Sequence, residues 1–130
     1  MAIDEQIENE IQAKGKTAAR VTTADIEAII SDERYFTAWE GAQLAYWSDS
    51  DPVNPKSEEG APPMNGPLSL LTFCVLVLKN GFTVTGESAC ASPENFDAEI
   101  GRKIARQNAV QKIWPLLGFA LKERLHAEGG

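Results

Sequence analysis

The stretch that decides the fold is SLLTFCVLVLKNGFTVTGES, Ser69 to Ser88. Its first half is rich in β-formers, its second half alternates apolar and polar side chains, and Asn80-Gly81 between them is the strongest short-range hairpin signal. A type I′ turn needs positive φ at both central positions, which Asn and Gly accept with little strain. With Asn80 and Gly81 as a two-residue loop, Lys79 faces Phe82, Val77 faces Val84 and Val75 faces Gly86. Leu78, Leu76 and Cys74 then stand opposite Thr83, Thr85 and Glu87 on the other side. In that register the first strand is apolar on both faces and the second on one only. A lone two-stranded ribbon is marginal in water, so the first strand needs cover on both faces. A C-terminal helix supplies one cover; N-terminal helices, further strands or a second copy of the chain supply the other.

Downstream, Ser92-Pro93-Glu94 has the order of a helix start: a capping hydroxyl, a proline at the first position and an acid in the first turn. Phe96, Ile100, Ile104, Val110, Ile113 and Trp114 are expected to form the apolar face of that helix. Pro115 should kink or end it, and Leu117, Leu121 and Leu125 make one stripe of a last helical segment. Upstream, Ile3, Ile7 and Ile11 follow an i, i+4, i+8 pattern in a polar N-terminal helix or tail over 1–20 that ends near Gly15. Thr22 or Thr23 caps a second helix through Ile26, Ile29 and Ile30, and Tyr35, Phe36 and Trp39 continue it or turn onto the core. The segment 48–67 contains Pro52, Pro55, Pro62, Pro63 and Pro67 with several acids, and reads as a long exposed loop. The fold class is therefore α+β. N-terminal helices and a β-hairpin at about 69–88 pack against a long C-terminal helix kinked near Pro115, in a single domain over 21–130.

A length of 130 residues sets one domain, and a net charge of −7 argues against a protein that grips nucleic acid by its phosphates. No apolar run approaches the ~20 residues of a membrane-spanning helix, so no membrane partner is expected. The N-terminus, MAIDEQIENEI, is acidic where an export signal is basic, and Cys74 and Cys90 are expected as free thiols in a reducing cytoplasm.

Within TGESAC, Ser88 and Cys90 are nucleophile types with Glu87 beside them, but catalysis needs an oriented base, and His126 lies in the terminal stretch. Two cysteines and one remote histidine lack the spacing of a zinc site, and Glu94, Asp97 and Glu99 suit a helix start on dipole grounds alone. No cofactor, metal or catalytic residue is expected. The SACASPEN segment could offer backbone N–H groups to an anion, with Arg102, Lys103 and Arg106 brought round by a second subunit, although Glu94 opposes an anion there. Trp47 with Tyr46, at the edge of the proline-rich segment, is a candidate aromatic anchor for a protein interface. The expected binding residues are Tyr46, Trp47, Thr85, Glu87, Ser88, Ser92 and Asn95.

Over about Leu68 to Leu125 the chain resembles the phage gene-product forty-nine/sixty-six family, in the words NGFTVTGES, NFDAEIGRKIA and IWPL. A weaker likeness extends through VTTADIEAIISDERYFTA, while 41–67 matches none of its motifs. The resemblance implies a small, non-structural protein of a tailed phage or prophage, acting in the cytoplasm of the bacterial host. It carries over no enzymatic activity or cofactor. The leading expectation is a non-enzymatic accessory protein with a host protein as partner, alone or as a homo-oligomer. The alternatives are a protein that sequesters a small molecule or nucleotide signal, and a structural or oligomerisation module.

Overall fold

The hairpin forms, and a third strand joins it. In the computed structural model, which describes residues 3–16, 18–49 and 51–129, strands β1 (Ile30–Thr37), β2 (Leu71–Leu78) and β3 (Thr83–Ala89) make one antiparallel sheet in the order β1-β2-β3. Helices α1 (Ile3–Ala13) and α2 (Thr23–Ile29) precede β1, α3 (Ala38–Ser48) follows it, and α4 (Ala98–Gln111) and α5 (Ile113–Ala127) close the chain. The architecture is α+β, with a long C-terminal helix bent at Lys112. The Ile3 side chain lies outside the described residues; Ile11 of the same stripe is half-buried and Ile7 is exposed.

The hairpin register differs from the sequence expectation by one residue. Leu78 donates its N–H to the Phe82 carbonyl and accepts from Gly81, each at 2.8 Å, so the loop is Lys79–Gly81 and has three residues. Only Gly81 has positive φ, at 88°, and Asn80 Oδ1 accepts the Phe82 N–H at 2.9 Å. This is the bulged three-residue loop, which asks for one left-handed residue where a type I′ turn asks for two. Because side chains alternate with period two, the one-residue slip exchanges the faces of β3. Leu76 now pairs with Val84 and Cys74 with Gly86, and these are the buried sides of both strands. The other register would have set Thr83, Thr85 and Glu87 against the core, so burial selects the bulged loop.

Strand β1 is concealed in the sequence because ISDERYFT hides its alternation behind Asp32, Glu33 and Arg34. Helix α2 stops at Ile29, where Ile30 turns to extended φ and ψ; its other end is closed by a capping box between Thr22 and Asp25. A second capping box, Thr37 with Glu40, starts α3, so the aromatic cluster Tyr35, Phe36 and Trp39 spans a strand-to-helix junction. The proline-rich segment is irregular apart from 3₁₀ turns at Glu58–Gly60 and Pro67–Leu70, and Trp39 Nε1 ties it down by donating to the Pro62 carbonyl at 3.0 Å.

Helix α4 covers the inner face of the sheet with small residues. Gly101, Ala105 and Ala109 are buried at i, i+4, i+8, while Ile100 and Ile104, expected inside, are exposed. A Cβ on Gly86 would overlap the Ala105 carbonyl oxygen and the Ala109 amide nitrogen, and one on Gly101 would stand 3.1 Å from Thr72 Oγ1. Bulky residues cannot occupy an interface this close, so they are displaced to its flanks. Leu76, Ile113, Ile26 and Cys74 fill the centre of the core at 2% exposure or less. Each large apolar side chain buried there contributes about 1.5 to 3 kcal/mol.

Two further expectations move. Pro93–Asn95 is a separate 3₁₀ turn, since Phe96 is extended; α4 is capped by Asp97, which accepts the Ile100 N–H at 3.0 Å. Pro115 acts four residues upstream, where its missing N–H and its ring leave the Gln111 carbonyl without a helical partner, and α4 ends at Gln111. The outer sheet face is covered at one end, where Phe36 stacks on Phe73 (ring centroids 5.6 Å apart) and abuts Gly41 of α3.

Candidate binding surface

The register fixes which backbone groups of β3 are free. Phe82, Val84, Gly86 and Ser88 direct N–H and C=O groups toward β2, so Thr83, Thr85 and Glu87 direct theirs away from it, to the side where no further strand lies among the described residues. One of these groups is already engaged: the Glu87 carbonyl accepts from Asn108 Nδ2 of α4 at 2.8 Å. Asn108 is one turn beyond Ile104 and two beyond Ile100, so this contact places the Ile100–Ile104–Asn108 row along the open edge. Ile100 is 56% exposed and Ile104 45%. The result is a strand edge open at Thr83 and Thr85 with an apolar shelf flanking its end at Ser88 and Cys90, and β3 carries neither proline nor lysine to blunt it.

The expected binding residues fall into three groups. Thr85 and Glu87 are exposed on the outer face of β3. Ser88 and Asn95 line a cleft of about 140 Å³ on the inner side, together with Cys90, Asp97, Ile100 and Ile104. Ser92 stands nearby as a turn residue whose hydroxyl donates to the Glu94 carboxylate and holds it below its usual range. Tyr46 and Trp47 form a pair at the loop base, with edge-on rings 5.0 Å apart. Tyr46 donates to the Ser57 carbonyl at 2.7 Å and carries Lys56 Nζ 4.5 Å above its ring, so it packs the proline-rich segment; Trp47 is 43% exposed.

This geometry limits the chemistry of TGESAC. Glu87 and Ser88 are neighbours on one strand and point to opposite faces, so the carboxylate does not approach the hydroxyl. The Cys90 thiol donates to the Ser92 carbonyl at 3.2 Å, and burial pushes the Cys74 thiol up, away from the reactive thiolate. The cleft is smaller than the several hundred cubic ångströms usual for a ligand pocket, and Asp97 places a carboxylate where an anion would sit. Arg106, a candidate anion ligand, is committed elsewhere: it makes a two-bond pair with Glu27 (3.1 and 2.7 Å) and a third bond to Glu33 (3.2 Å). That clamp lowers Glu27 and raises Arg106 from their ordinary values, and Glu33 also accepts the Tyr35 hydroxyl at 2.7 Å. Among the described residues no cluster of three His, Cys, Asp or Glu side chains could hold a metal, and no helix is long and apolar enough to cross a membrane.

The shelf was legible only through α4's small residues. The spacing of Gly101, Ala105 and Ala109 marks the buried stripe and so leaves Ile100 and Ile104 outside it. Residues 21–125 match the model of the Phage protein (N4 Gp49/phage Sf6 gene 66) family. No curated protein and no solved structure matches the chain.

Proposed function

The chain belongs to this phage protein family, and we propose that it is an accessory factor that binds a host protein in the bacterial cytoplasm and does no chemistry of its own. The observation that supports this reading is the free edge of β3 with the Ile100–Ile104 shelf beside it. An extended segment of a partner can add to such an edge as a fourth strand: its main chain takes the outward groups of Thr83 and Thr85, and the side chains that continue past Glu87 toward Ser88 and Cys90 rest on the shelf. A net charge of −7 favours a protein over nucleic acid as that partner. Tyr46 and Trp47, engaged with the proline-rich segment, are secondary to this surface.

The test uses Thr85→Pro. Proline at this position removes an outward N–H and leaves the β2 ladder intact. Tagged wild-type protein and Trp47→Ala, recovered from infected cells, should retain the same host protein. Thr85→Pro and Ile104→Asp should lose it at least tenfold while keeping the native circular dichroism spectrum. Full retention by Thr85→Pro would refute strand addition at β3.

A further inference from the structure

Helix α1 lies outside the family-matched residues and sits on the matched domain over a groove that it does not fill. On one side of it a cleft of about 400 Å³ opens over Ile26, Arg106, Val110 and Trp114. On the other side a cleft of about 190 Å³ opens over Val21, Gln111 and, again, Trp114. Trp114 lines both, and its buried indole N–H has no hydrogen-bond partner among the described residues. The helix is held by polar contacts at its rim: Arg20 donates to both Glu8 oxygens at 2.7 Å, and Gln111 donates to Asp4 at 3.1 Å. It carries Asp4, Glu5, Glu8 and Glu10 and no cation, whereas Arg20, through Glu8, and Lys103 stand at the groove, and Arg106 beside them is held by Glu27 and Glu33.

We propose that this groove receives an acidic amphipathic helix of a partner protein, and that α1 occupies it in cis until that helix displaces it. The chemistry of the occupant is read from α1 itself: an apolar i, i+4 pair, Ile7 and Ile11, toward Trp114, and a carboxylate at the Glu8 position for Arg20. The unfilled space on both sides leaves room for a better-fitting helix than α1. A second copy's α1 is the less favoured occupant. Gly15, at φ 68°, turns the chain back toward its own domain, and its N–H and that of Lys16 close the helix end on Gln12 and Ile11. This surface is separate from the β3 edge, and the inference does not rest on strand addition there.

The test keeps the full chain and unlatches α1 with Glu8→Arg, which sets two cations together at Arg20; Glu8→Gln is the milder second variant. The probe is a fluorescein-labelled peptide of residues 1–16 that retains Glu8, followed by anisotropy. The tethered α1 competes in wild type, so the peptide should bind Glu8→Arg at least tenfold more tightly, with Glu8→Gln between the two. A peptide with Ile11→Asp should not bind, and Thr85→Pro in the chain should leave peptide binding unchanged. Failure of the peptide to saturate either unlatched chain would overturn the proposal. So would dimerisation of those chains in sedimentation, which would assign the groove to a second copy.

Discussion

At the scale of single residues, the structure depends most on Gly86. It sits in mid-strand, where glycine is ordinarily a weakness, because α4 approaches β3 too closely for any side chain. Gly86→Ala would force the Ala105 and Ala109 backbone away from the sheet and should cost about 3 kcal/mol or more, read as a shifted urea midpoint. Nothing local in TGES announces this; the reason for the glycine lies in a helix some twenty positions later, and only the pairing of β3 with α4 exposes it. Glu8 is a second sensitive residue. The Arg20 guanidinium lowers its carboxyl from 4.5 to about 2, so its contribution to α1 docking is complete above pH 4.5 and is lost as pH falls to 2. The docking difference between wild type and Glu8→Gln, followed by amide exchange in α1, should be constant from pH 7 to 4.5 and vanish toward pH 2.

At the scale of elements, the hairpin, the C-terminal helical pair and the irregular proline-rich segment were legible because their signals are local: β-branched runs, Asn-Gly, Pro115, and prolines without periodicity. The misreadings came where tertiary context decided. Burial chose the hairpin register, the helix-sheet distance reversed the apolar face of α4, and β1 is an edge strand whose charged residues conceal its period. Of the candidate surface, Thr85 and Glu87 were identified in the sequence, whereas the shelf of Ile100 and Ile104 was assigned to the core. The bulged loop makes its own prediction. Gly81→Ala places a side chain at φ 88° and should cost about 1 to 2 kcal/mol in thermal or urea unfolding. Asn80→Gly should destabilise the hairpin, because at a negative φ glycine only adds freedom to the unfolded chain and the side chain that accepts the Phe82 N–H is lost.

At the scale of the molecule, the two faces of the sheet have different tasks. The inner face is closed by α4, α5 and α2 around Leu76 and Ile113; the outer face is covered at one end by Phe36, Phe73 and α3, and its β3 side and the β3 edge are left available. The same small-residue packing that draws α4 against β3 also pushes the isoleucines to the edge, so the proposed binding surface is a by-product of how the core is built. The most direct measurement is amide hydrogen exchange at Thr83 and Thr85 in the free protein and in the complex recovered from infected cells. The account predicts rapid exchange in the free protein and strong protection in the complex, with the inward amides of Val84 and Gly86 protected in both. Unchanged, rapid exchange at Thr83 and Thr85 in a stoichiometric host complex would contradict it.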